Sequence, residues 1–110
     1  MPMKPEAHFE RVVEALRRNP EVAIGSQKRG FGSSALKVNG KIFAMQSSKG
    51  ELVLKLPKER VDELVASRNG RRFEPDPGRV MKQWFVAEPR LYENWLSLAR
   101  EALRFVASRA

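Results

Sequence analysis

Ser34-Ala35-Leu36-Lys37-Val38-Asn39-Gly40-Lys41-Ile42-Phe43-Ala44-Met45-Gln46 decides the fold. Asn39-Gly40 sits between two stretches of strand-forming residues, and both central positions of a type I′ turn need positive φ, which Asn and Gly tolerate best. The predicted hairpin sets Val38 opposite Lys41, Lys37 opposite Ile42, Leu36 opposite Phe43 and Ala35 opposite Ala44. Ser47-Ser48-Lys49-Gly50 makes the next turn. With Gln46 paired to Glu51, Met45 faces Leu52, Ala44 faces Val53, Phe43 faces Leu54 and Ile42 faces Lys55. Strand side chains alternate between faces. One face therefore collects Leu36, Val38, Phe43, Met45, Leu52, Leu54 and Leu56. The other carries Ala35, Lys37, Ile42, Ala44, Gln46, Val53 and Lys55. The two turns agree on which face is the core.

Upstream, Pro5 to Arg18 is predicted as a helix. Pro suits its first turn, and Phe9, Val12, Val13 and Leu16 share one stripe. Asn19-Pro20 stops it. Glu21–Gly25 reads as a short strand and Lys28–Ser33 as a glycine-bearing loop. Downstream, Lys58–Arg68 is predicted as a helix with Val61, Leu64 and Val65 inward and Gly70 placed to end it. Arg71–Pro75 and Val80–Val86 bracket Asp76-Pro77-Gly78 as a second hairpin. A closing helix from Pro89 to Ser108 carries Leu91, Trp95, Leu98, Ala102 and Phe105 on one stripe. The order is αβββαββα. Strands and helices are segregated, so the expected fold class is α+β: a two-layer sandwich with an antiparallel sheet covered on one face by helices.

At 110 residues the chain has room for a single domain. A domain of this size buries roughly two-thirds of the surface its unfolded form exposes, enough for one core without staples. The sequence has no cysteine, which excludes disulfides and thiolate metal sites and fits a reducing, cytoplasmic setting. The opening Met1–Glu6 has no apolar h-region, and no apolar run approaches the roughly 20 residues of a membrane span. Neither a secretory signal nor a membrane association is expected. Formal net charge is +8. Between Val22 and Gly50 there is no Asp or Glu, whereas Lys28, Arg29, Lys37, Lys41 and Lys49 all fall there. That asymmetry suits an anionic partner, and equally a solvated basic surface.

The ordered series Phe31-Gly32, Val38-Asn39-Gly40-Lys41-Ile42-Phe43-Ala44, Leu52-Val53-Leu54-Lys55 and Gly78-Arg79-Val80-Met81-Lys82-Gln83-Trp84-Phe85-Val86, with the closing helix, resembles the TfoX N-terminal domain family. The related YjbR-like proteins are similar in layout. The resemblance spans roughly Val22 to Val106 and implies a two-layer α/β sandwich with an antiparallel sheet. It implies no catalytic residues. Where that family usually has Met-Phe-Gly-Gly, this chain has Gly30-Phe31-Gly32-Ser33.

No residue set supplies catalysis or a cofactor. His8 is the sole histidine and reads as a surface or edge residue, without the partners a dyad or metal site needs. Glu10 with Glu14 and Glu59 with Glu63 lie at helical spacing, but flanking Arg and Lys mark solvated faces. Gly30-Phe31-Gly32 lacks the third glycine of a dinucleotide fingerprint and leads into a strand. Arg29-Gly30-Phe31-Gly32 matches only the first half of an RNP1 signature, and Ser33 and Leu36 stand where stacking aromatics belong. Trp84 and Trp95 lie in apolar patterns and read as core. A non-enzymatic module is therefore expected, with no metal or cofactor.

The remaining feature is the second sheet face, where Lys37, Ile42 and Lys55 form one cross-strand row. Either lysine stems cover a partly apolar sheet, or the row docks a partner by apolar contact plus charge. The function expected is a regulatory or protein-interaction module, binding a protein or a second copy of itself. The alternative is a nucleic-acid-binding accessory protein. The candidate contacts are Lys37, Ile42 and Lys55, with Lys28, Arg29, Arg71 and Arg72 in reserve.

Overall fold

The Asn39-Gly40 turn forms as predicted, with φ of 55° at Asn39 and 78° at Gly40, and it joins β2 (Ala35–Val38) to β3 (Lys41–Gln46). In the computed structural model, which describes residues 5–24, 35–47 and 50–109, the order is αββββαββα, one strand more than the αβββαββα expected, because the short strand before the hairpin joins the sheet. The remaining elements are α1 (Pro5–Leu16), β1 (Val22–Ile24), β4 (Leu52–Lys55), α2 (Lys58–Ala66), β5 (Gly70–Asp76), β6 (Arg79–Ala87), a 3-10 turn (Pro89–Asn94) and α3 (Trp95–Ala107). The strands build one six-stranded sheet in the order β1-β2-β3-β4-β6-β5, antiparallel at each step. The helix α2 carries the chain past β4, so that β6 pairs with β4 and β5 becomes an edge.

The helices share one face of this sheet. Phe9, Val12 and Leu16 of α1, Val61 and Leu64 of α2, and Trp95, Leu98, Ala102 and Val106 of α3 form one buried cluster with Leu36, Val38, Phe43, Leu52, Leu54 and Phe85. Burying a side chain of this size is worth about 1.5–3 kcal/mol, so this layer is what holds the sandwich together. Val53 and Val86 face each other across β4 and β6 and are also buried, but outside that cluster.

The expected register is right at Val38↔Lys41 and Lys37↔Ile42 and then departs from it. A bulge intervenes, so Leu36 pairs with Ala44 and Ala35 with Met45. An extra residue at a bulge breaks strict alternation. Phe43 and Ala44 consequently both turn toward the helices, Met45 turns away, and Gln46 is buried with its amide donating to the Gly50 carbonyl at 3.5 Å. The next turn departs by one residue as well. Ser47 N–H donates to Glu51 O at 2.8 Å, and Gly50 takes a left-handed φ of 81°. Gln46 therefore pairs with Leu52, Met45 with Val53 and Ala44 with Leu54. The two one-residue shifts cancel. Leu52, Leu54 and Leu56 face the core as expected, although Met45, Ala44 and Gln46 have exchanged faces.

Three helix ends also differ. α1 stops at Leu16, and the Asn19 side chain accepts a bond from Glu21 N–H at 2.9 Å. α2 ends through Arg68, whose φ is 62°, and not through Gly70. Gly70 opens β5 instead, where an added Cβ would run into the Val86 carbonyl and the Phe85 ring. The closing helix begins at Trp95, because Leu91 leaves helical geometry within the preceding turn.

His8 is not a surface residue. It is 7% exposed, its ring stacks on Tyr92 at 4.0 Å and meets Trp95 edge-on, and its Nδ1 has no hydrogen-bond partner among the described residues. The signal was in the sequence, since His8 stands four residues before Val12 and eight before Leu16. The two tryptophans part company. Trp95 is fully buried, with its indole N–H donating to Glu88 O at 3.1 Å. Trp84 is only half-buried and lies outside the core cluster. Phe85 and Ala87 turn inward on β6, so alternation turns Trp84 and Val86 the other way.

Candidate functional site

The bulge that reorders β3 also ends its ladder with β4 early. Pairing runs from Gln46↔Leu52 to Ala44↔Leu54, and neither Ile42 nor Lys55 has a partner across that step. A cleft of about 460 Å³ opens there, with Ile42 and Lys55 both in its lining. It lies where the β2–β3 turn, the last residue of β4 and the end of α3 come together. Lys37 reaches it as the cross-strand neighbour of Ile42, and Lys41 from the turn itself. Trp84 enters opposite Lys55 on β6, and Val106 and Arg109 come from the end of α3.

This lining contains four cations, Lys37, Lys41, Lys55 and Arg109, and no carboxylate. Among the described residues no acidic group forms an ion pair with any of them. The Lys55 ammonium lies 5.2 Å from the centre of the Trp84 ring, within cation–π range. Its pKa is lowered from the ordinary lysine value, first by burial and then by the charges of Arg109 and Lys41. Arg109 sits 5.2 Å from the Phe105 ring and donates to Gln83 Oε1 at 3.4 Å. Like charges gathered beside apolar walls, in a partly desolvated hollow, raise the local potential for an anion. An anion entering would offset the charges of Arg109 and Lys41, which add to the larger effect of burial on Lys55.

A second hollow of about 440 Å³ adjoins the first and shares Lys55 and Trp84 with it. Lys58 and Lys82 add charge, Val80 adds apolar surface at 46% exposure, and this lining too has no carboxylate. Lys58 is tied to Asp62 Oδ2 at 2.9 Å, whereas Lys82 has no ion pair among the described residues.

The structure thus brings together Lys37, Ile42 and Lys55 from the sequence reading. Arg71 and Arg72 stand elsewhere, on β5. Arg71 donates two bonds to the Glu51 carboxylate, at 2.7 and 3.0 Å, and Arg72 donates to Asp62 at 2.6 Å. Lys28 and Arg29 lie outside the described residues. Lys41, Arg109 and Trp84 belong to the site and were not singled out for it. Lys41 and Trp84 could have been found from the register, but nothing local in the sequence tells where the end of α3 docks. Among the described residues no three His, Cys, Asp or Glu side chains are grouped to hold a metal, and no helix is long and apolar enough to cross a membrane. Compared with known proteins, the chain matches no family model, no curated protein and no solved structure.

Proposed function

We propose that this domain is a small non-enzymatic regulatory or interaction module that holds an anionic partner in the cleft beside Trp84. One observation carries the reading: four cations line a half-apolar hollow whose lining has no carboxylate. Like charges gathered without a carboxylate repel one another and attract an anion, so this basic hollow is better suited to a ligand than to stability. The resemblance to the TfoX N-terminal domain family implies no catalytic residues, which fits a module without a reaction of its own.

The test is charge reversal at two positions, Lys37→Glu with Lys55→Glu. Retention of the wild-type domain on immobilised heparin, polyglutamate and oligonucleotide gives the reference. The double variant should lose retention on all three while its melting curve stays nearly unchanged, because reversal at Lys55 relieves the repulsion from Arg109 and Lys41. Equal retention of variant and wild type removes the cleft from consideration.

A further inference from the structure

We infer that the two adjoining hollows form one groove for single-stranded nucleic acid, with Trp84 as the stacking platform at their junction. The inference rests on the anionic-ligand reading above and names its ligand. Three observations carry it. The hollows share Lys55 and Trp84, so they are continuous across one aromatic side chain. Both are lined by cations, Lys37, Lys41 and Arg109 on one side and Lys82 on the other, with Lys55 at the junction and no carboxylate in either. Trp84 is half-buried beside Lys55 and takes no part in the core cluster, so its ring is not committed to holding the fold.

Competing ligands use only part of this arrangement. A free phosphate needs one hollow and no aromatic surface. An acidic peptide matches the charge but offers Trp84 no flat ring. A double helix hides its base faces inside the stack, and the groove is concave where a duplex would need an inserted element. A single strand presents phosphates and unstacked base faces in alternation, which is how sequence-tolerant single-strand sites combine a basic track with aromatic platforms. In this placement one base stacks on the face of Trp84 that Lys55 leaves free, and the Lys55 ammonium meets the adjoining phosphate.

The experiment follows tryptophan emission during titration with a thymidylate oligomer of roughly twelve nucleotides, a length within the span of known single-strand sites. Uridylate of equal length, the matching duplex and polyglutamate serve as comparisons. Trp95 is fully buried in the helix layer, so a change on binding reports Trp84. The single strands should quench emission. Trp84→Ala should weaken their binding roughly five- to hundredfold, the range for loss of one stacking contact, and Trp84→Phe should largely restore it. Lys82→Glu, an exposed change confined to the second hollow, should also weaken binding and flatten the salt dependence by about 0.7 in log–log slope. That variant keeps the inference exposed to refutation if Trp84→Ala fails to fold. Polyglutamate or duplex binding as tightly as the single strands, or unchanged affinity in Lys82→Glu, would overturn the groove and leave the anionic cleft standing. If no polyanion binds at all, both readings fall.

Discussion

Lys55 and Trp84 are cross-strand partners on β4 and β6, and the lysine ammonium lies over the tryptophan ring at 5.2 Å from its centre. The pair joins charge and aromatic surface at the junction of the two hollows. Its ionisation gives the site a pH signature. In the free domain the Lys55 pKa is below the ordinary 10.5, because burial, Arg109 and Lys41 disfavour its charge. A bound anion favours that charge and raises the value again. Affinity should therefore be constant below the free-domain pKa and fall as pH rises through it, before 10.5 is reached. Titrating polyanion binding across alkaline pH checks this, and Lys55→Met should abolish the early part of the fall. An affinity that declines only above the ordinary lysine range would contradict the assignment.

Asp62 provides a signature at the other end of the scale. Hydrogen bonds from Arg72 and then Lys58 hold its pKa below the ordinary 3.8, so the folded state favours its ionised form. The stabilisation is present in full above 3.8 and disappears as pH falls through the lowered value. Asp62→Asn should melt slightly lower than wild type near neutrality, and the two curves should converge in strong acid. A gap that persists in acid would show that the variant disturbs packing between α2 and β5 and not charge.

Gly40 tests the turn. Its φ is 78° and an added Cβ would meet nothing within 4 Å, so the penalty for a side chain is conformational alone. Gly40→Val should cost about 1–2 kcal/mol, the strain of a left-handed residue, and more than an exposed substitution such as Lys58→Ala. Thermal melts of the two variants make the comparison.

Gly70 tests a different requirement. Its Cβ would collide with the Val86 carbonyl and the Phe85 ring, and backbone cannot swing aside as a side-chain tip can. Gly70→Ala should destabilise by about 1–3 kcal/mol, the usual range for overpacking, and should exceed the loss from Gly40→Ala. Urea denaturation of both variants would rank them, and the reverse order would mean that β5 does not approach β6 so closely.

The order of elements was legible because each turn carries its own chemistry. Asn39-Gly40, Gly50 and Gly78 all take positive φ where the sequence asked for a turn. The Phe43 bulge was not legible, because Ile42-Phe43-Ala44-Met45 is apolar throughout and offers alternation no contrast. Leu52 and Leu54 were assigned correctly only because the shorter following turn reversed the same error. At the site, Lys37 and Ile42 followed from strand pairing, whereas the expected Ile42–Lys55 rung does not form and Lys55 lines the cleft as the last residue of β4. Arg109 could not be found from pairing, since it enters through the docking of α3 against strands more than fifty residues earlier in the chain. His8 shows a different limit: its spacing fitted the buried stripe of α1, but its polarity argued for the surface.

Phe43 belongs to the core but to no rung of the sheet. Ile42 and Ala44 already hold Lys37 and Leu36 across β2, so a chain lacking Phe43 would keep the same partners there. It would forfeit one large buried ring. It would also bring Ile42 level with Lys55, extending the β3–β4 ladder into the space where the cleft now opens. A relative one residue shorter at this point would therefore inherit the sandwich without the cleft, and that gap in an alignment would mark where one lineage acquired the cleft or lost it.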